Sequence, residues 1–247
     1  MTVPLPADYF ERLDAVEERH WWHRGMRAIS AALLGERMRG GAVLDAGCGT
    51  GGFLRWLLQH GSFERACGFD PSDEALAFAR RRLPTAELAR ATLAAIPFDD
   101  ASFDLVVSND VLQHVPEQEV EASLREFGRV LRPSGTLLVR TNGARTSRRE
   151  RPDWRVYDRA TLVAGLENAG LPPERATYAN LAGSALDALR RRPPQAPGTE
   201  THGIPELPPT AVGAVMLRLL LAEGRFLARP GRRLPYGHTL LAVAGRA

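Results

Sequence analysis

An α/β fold, with a mostly parallel sheet and helices on both of its faces, is the architecture this sequence predicts, on three observations. Short apolar runs alternate along the chain with segments whose apolar residues recur every three to four positions. The first run, Val43-Leu44-Asp45-Ala46, passes straight into a glycine-rich turn, Gly47-Cys48-Gly49-Thr50-Gly51-Gly52, and then into the helical pattern Phe53, Leu54, Trp56, Leu57, Leu58. A second run, Ala66-Cys67-Gly68-Phe69-Asp70, closes on an acid about twenty residues past the turn, where an open sheet places a ligand-facing carboxylate.

The elements follow in order. Residues from about 8 to 39 read as mostly helical, with a cap near Asp8 and a stop at Gly40-Gly41. Strands are expected near 42–46, 66–70, 86–89 and 103–108, with helices between most of them. Pro71-Ser72-Asp73 opens one helix, capped by Asp73 or Ser72, which continues through Ala75, Leu76, Phe78 and Ala79. It closes on Arg80, Arg81 and Arg82, where cations suit the helix dipole and their stems cover apolar surface. After Pro116, Val120, Leu124, Phe127 and Leu131 share one helical face. Arg132-Pro133-Ser134-Gly135 ends that helix and turns into a strand at 136–140. A helix over 159–168 stops before Gly170, a strand lies near 175–178, and 239–244 forms the last strand. The connection 181–236 holds a Pro-rich stretch and a helix from about 210 to 228. It reads either as a linker plus a helix that patches the core, or as a cap over the site, since loops at strand carboxyl ends carry function.

A chain of 247 residues suits one such domain with a modest insertion. It has no apolar run of about twenty residues and no basic-then-apolar leader pattern. Cys48 and Cys67 read as small buried residues in a reducing compartment, so a soluble, cytoplasmic protein is expected. All 32 basic residues are Arg, set against 29 acids for a net charge of +3. Their clusters are scattered and lack interleaved aromatics, so neither nucleic acid nor membrane is an expected partner.

Glycines let a backbone approach a ligand, and free N–H groups at a helix start attract its negative groups. Gly47, Gly49 and Gly52 also fit the dinucleotide pattern G-x-G-x-x-G. Asp45, two residues before Gly47, would repel a pyrophosphate and welcomes an ammonium. The segment resembles motif I of the class I S-adenosylmethionine (SAM)-dependent methyltransferases. Ile96-Pro97-Phe98, with Phe103-Asp104-Leu105-Val106, resembles the LPF…FDLV signature of their type 11 subgroup. That resemblance implies a Rossmann-like seven-stranded sheet with the last strand antiparallel. It implies a single domain over 1–247: an N-terminal helical lid (1–40), a SAM-binding core (41–180), a helical cap insertion (181–236) and the last strand (237–247). It also implies SAM as cofactor, held by Arg27, Asp45, Gly47, Cys48, Gly49, Asp70, Pro71, Thr92, Leu93 and Asn109. Asp70 would accept the ribose hydroxyls. Aligned on Pro97, Thr92 stands where the subgroup usually has an Asp for the adenine amino group; its hydroxyl can accept that bond without the charge, and the Leu93 N–H is available to the ring. An Arg about twenty residues before the Gly loop pairs with the SAM carboxylate in some relatives; Arg27 fits that spacing best and Arg24 is the reserve.

Tyr9-Phe10 and His20-Trp21-Trp22-His23-Arg24 resemble the HWW segment that folds over the cofactor in part of the subgroup. Aromatic faces there would stabilise a sulfonium and exclude water. The chemistry of the class is in-line displacement, in which the enzyme aligns and desolvates, and a base is needed only when the nucleophile carries a proton. His114 is the base candidate, or else a backbone hydrogen-bonding residue. Asp110, Gln113 and His114 echo an acid-x-x-acid-His metal cluster of some quinone O-methyltransferases, but Gln replaces the second carboxylate, so no metal is expected. Tyr9, Trp22, Tyr157 and Tyr178, with Asn180 and Arg145, are candidates for the substrate wall. The expected activity is methyl transfer to an O or N centre of a small molecule, such as a secondary metabolite. The alternatives are a non-catalytic SAM-binding protein, a methyltransferase acting on RNA or protein, and an NAD-linked oxidoreductase, against which Asp45 argues.

Overall fold

The computed structural model describes residues 8–143, 155–184 and 210–246. Its strands are β1 (Ala42–Ala46), β2 (Arg65–Asp70), β3 (Glu87–Arg90), β4 (Phe103–Asn109), β5 (Leu131–Asn142), β6 (Pro173–Ala179) and β7 (Thr239–Gly245). They form one sheet in the order β3-β2-β1-β4-β5-β7-β6, in which only β7 runs antiparallel to its neighbours. This is the Rossmann-like seven-stranded arrangement expected above.

Alternation along each strand divides the core. Val43, Leu105, Val107, Leu138 and Leu241 face one side, where they meet α2 (Trp21–Leu34), α3 (Gly52–His60) and α7 (Thr210–Leu227) through Met26, Ile29, Leu54, Leu57 and Leu220. Leu44, Phe69, Val106, Leu137 and Val139 face the other, where α5 (Glu117–Val130) and α6 (Arg159–Asn168) contribute Leu124, Phe127, Leu162 and Leu166. α4 (Asp73–Arg82), capped by the Ser72 hydroxyl accepting from the Ala75 N–H at 3.2 Å, packs Leu76 and Ala79 against Cys48. Both cysteines are free and buried.

Three boundaries differ from the sequence expectation. The leading helix is two helices: α1 (Tyr9–Val16) and α2, separated by a turn at which the His20 ring accepts from the Trp22 N–H. α2 ends at Gly35, which takes φ +55, a conformation glycine adopts without strain, rather than at Gly40-Gly41. The expected turn Pro133-Ser134-Gly135 is a bulge inside β5: pairing with β4 jumps from Phe103–Leu131 to Leu105–Thr136.

α7 lies along α2, with Gly25 directly beneath Leu220 and Gly224 against Ala28 and Ile29. A Cβ on Gly25 would overlap the Leu220 side chain, so the approach depends on that glycine. Of 181–236, α7 buries Met216, Leu220, Gly224 and Leu227 against the core; residues 185–209 lie outside the described residues, as does Arg145.

Candidate cofactor site

The carboxyl ends of β1, β2, β4 and β5 place Asp45, Asp70, Asn109 and Arg140 along one edge of the sheet. The Gly loop leaves β1 there, with the Gly47 and Cys48 N–H groups both donating to the Phe69 carbonyl, at 2.9 and 2.8 Å. Gly47, Gly49 and Gly51 take φ of +80, +54 and +80, which glycine alone adopts freely. A Cβ on Gly47 would overlap Val111, so the loop after β4 leaves no room for a side chain there. A Cβ on Gly49 would meet nothing within 4 Å; the loop faces open space at that point. The Cys48 side chain turns away toward Leu76 and Ala79, so only its backbone can serve a ligand.

Asp70 is fixed by its own backbone neighbours. One carboxylate oxygen accepts from the Gly49 N–H at 3.0 Å and the other from the Ser72 N–H at 2.9 Å. Burial raises its pKa, and the two N–H donors hold the rise back. Asp45 is almost wholly buried, and burial lifts its carboxyl to about 7; Arg140 opposes the shift, while Asp70 and Glu17 add to it. Its Oδ2 has no hydrogen-bond partner. Neither do His23 Nε2, Ser108 Oγ and both amide atoms of Asn109, all buried. Burial, then Arg140, His20 and Arg27, lowers the His23 pKa to about 3, which keeps the ring neutral. Buried polar atoms without partners are costly, and several at one sheet edge indicate a polar ligand.

Arg140 joins these groups. Its guanidinium is buried, holds Asp110 through Nε at 3.0 Å and Nη2 at 2.6 Å, and lies 5.0 Å from the Trp22 ring and 5.9 Å from Phe53. The pairing holds Asp110 at φ +58 and spends its carboxylate. Among the described residues no cluster of three or more metal-ligating side chains occurs.

Of the two arginines, Arg24 is exposed, while Arg27 is buried and donates to the Gly52 carbonyl at 3.1 Å and to Glu18 at 2.9 Å. α1 is pinned over the loop by further acids. Glu17 accepts from the Thr50 hydroxyl at 2.6 Å and pairs with Arg82, which also binds Asp14 at 2.5 Å. Tyr9 is half-buried on α1, Trp22 half-buried beside Arg140. Pro71 and Thr92 are exposed at the edge, and the Leu93 side chain is buried in the core. His114 is exposed at the end of a short 3-10 turn, Leu112–His114, whereas its neighbour Gln113 is buried and accepts from the Thr141 hydroxyl and the Asn142 N–H at 3.1 and 3.2 Å.

Tyr157 and Tyr178 are buried in the core. The Tyr157 hydroxyl donates to the Leu112 carbonyl at 3.4 Å, and burial lifts its pKa to about 12. The Tyr178 hydroxyl accepts from the Arg159 N–H at 3.2 Å. Asn180, at φ +61, stands next to β6. Sequence reasoning missed Arg140, His23, Glu17 and Glu18. A charge closing the apolar run Leu137-Leu138-Val139-Arg140 was the available signal for the first; the acids carry none.

Residues 44–139 match the family described as Methyltransferase domain. A "probable S-adenosylmethionine-dependent methyltransferase" of Mycolicibacterium smegmatis is 34% identical over 137 residues, 56% of this chain and 51% of that protein. A malonyl-[acyl-carrier protein] O-methyltransferase of Enterobacter lignolyticus is 35% identical over 139 residues, 55% of this chain and 54% of that one. The chain spans about half the length of these curated relatives. In fold it is similar to the methyltransferase in a complex with the Haloferax volcanii Trm112 methyltransferase activator, with a TM-score of 0.65 at 23% identity, covering 96% of this chain and 94% of that one. In fold, and in sequence over residues 44–139, the chain is thus similar to methyltransferase domains. The cofactor named for the Mycolicibacterium smegmatis relative is S-adenosylmethionine. The residues present fit that group: an unpartnered buried carboxylate oxygen for an ammonium, a fixed second carboxylate for a ribose, and open space over Gly49.

Proposed function

We propose that the chain is a SAM-dependent methyltransferase acting on an O or N centre of a small molecule, in the cytoplasm. The observation that carries this reading is Asp45 Oδ2, buried and unpartnered beneath a loop open at Gly49. SAM, when bound, supplies a methyl group on a sulfonium. Asp45 would hold its ammonium, Arg27 its carboxylate and Asp70 the ribose hydroxyls, while Thr92 and the Leu93 N–H face the adenine. Trp22 and Phe53, already packed about Arg140, exclude water from the reacting edge. Asn109, at the tip of β4, would orient the acceptor or the methionine end of the cofactor. His114 would take a proton where the acceptor is a hydroxyl and would be idle for a neutral amine. An oxygen acceptor is supported by the relative named for O-methylation, and a small acceptor by the confined cluster of polar atoms at the sheet edge.

Calorimetric titration with S-adenosylhomocysteine (SAH) tests the reading. Asp70→Ala should weaken binding by about 1–3 kcal/mol, the loss of charged hydrogen bonds. Wild-type affinity in that variant, or tighter binding of NAD than of SAH, would overturn it.

A further inference from the structure

The exposed large hydrophobic side chains among the described residues are Val212 (44%), Val215 (53%), Leu219 (42%) and Tyr236 (42%), and all lie on or beside α7. Val212, Val215 and Leu219 are three and four positions apart, so they form one row on the helix. The row continues through Ala222 and Phe226 into an apolar cavity of about 490 Å³, whose far wall is Leu181, Leu234 and Tyr236. The opposite face of the same helix is spoken for, since Met216, Leu220, Gly224 and Leu227 are buried there. Apolar exposure concentrated in this way marks an interaction surface.

Its charge states the partner's sign. Arg218 and Arg225 are exposed on α7, and Arg229, Arg232 and Arg233 are exposed immediately after it. The Arg232 guanidinium sits 5.6 Å from the ring of Phe226, which lines the cavity. The one acid on the helix, Glu223, is half-buried and accepts from the Asn180 and Leu181 N–H groups at 2.7 and 3.0 Å.

We propose that this face of α7 docks on an anionic lipid bilayer surface, with the Val212–Val215–Leu219 row entering the headgroup boundary and the arginines meeting lipid phosphates. A helix with an aliphatic row flanked by cations has the chemistry of an interfacial helix. Surface docking departs from the sequence expectation of no membrane partner, and it needs no spanning segment; no described helix is long and apolar enough to cross a bilayer.

Co-sedimentation with vesicles tests this. At ~0.1 M salt the full chain should pellet with phosphatidylcholine vesicles containing about 30% phosphatidylglycerol, and not with phosphatidylcholine alone. The double variants Val215→Asp/Leu219→Asp and Arg225→Glu/Arg229→Glu should each lose binding by at least about tenfold, with unchanged melting temperature and SAH affinity. The proposal fails if the wild type ignores anionic vesicles, or if binding survives Val215→Asp/Leu219→Asp. It fails equally if the wild type self-associates in sedimentation velocity, the variants abolish that association, and no vesicle binding is seen; a second copy would then be the occupant.

Discussion

In the role proposed for it, Asp45 couples cofactor binding to pH. In the free protein its carboxyl titrates at about 7, far above a solvated Asp, because burial disfavours the charge. The native state therefore holds a proton that the unfolded chain has already lost. As pH rises from about 4 to 7, this group alone subtracts stability, and above 7 the full cost is present. An ammonium placed on Oδ2 demands the ionised form, so binding below pH 7 must expel the proton. SAH affinity should fall about tenfold per pH unit well below 7 and flatten above it, and Asp45→Asn should bind weakly with that slope gone. Calorimetry in buffers of different ionisation enthalpy checks this, and a wild-type affinity flat from pH 5.5 to 8 would refute it. Asp45, Asp70 and the glycines were legible in the sequence because backbone need and ligand charge both mark them. Arg140 was not, since its partners Asp110 and Trp22 come from segments distant in the chain, and His23 was not, since what sets it apart is burial beside that same Arg140.

At the scale of elements, α1 and the turn 17–20 that follows it form an acidic strap across the Gly loop. Glu18 occupies one side of the arginine that would receive the cofactor carboxylate, and it does so from a side chain 41% exposed. A competitor of that kind is weak. Glu18→Gln should tighten SAH by about two- to fivefold, the value of a partly exposed pair, whereas Arg27→Ala should weaken it. Equal affinity of Glu18→Gln and wild type would remove Glu18 from the competition. Most elements were readable from periodicity: the helix over 159–168 and the strands after Gly40-Gly41 fall where the pattern put them. The break between α1 and α2 was not, because the stretch is helix-forming throughout and the His20 ring, not a Gly or Pro, caps the second helix. The bulge in β5 escaped for the opposite reason, since Pro-Ser-Gly reads locally as a turn.

For the molecule as a whole, the α2–α7 contact ties together two helices that cover the same face of the sheet. Gly25→Val would force Leu220 off its seat, and overpacking of that kind should lower the melting temperature by at least about 3 °C. An unchanged melting curve would show that the two helices are not closely apposed in solution. The alternation of strands and helices made the parallel part of the sheet legible, but the antiparallel β7 came only from resemblance, because strand direction leaves no trace in local pattern. That strand has a cost in time. β5 ends at residue 142 and β7, its partner, begins at 239, so nearly a hundred residues separate them. At about 5–20 residues per second of synthesis, the nascent chain waits roughly 5–20 s with the inner edge of β5 open. During that interval the ribosome carries a half-built sheet with a bare edge, the form in which this protein is most exposed to chaperones and to aggregation.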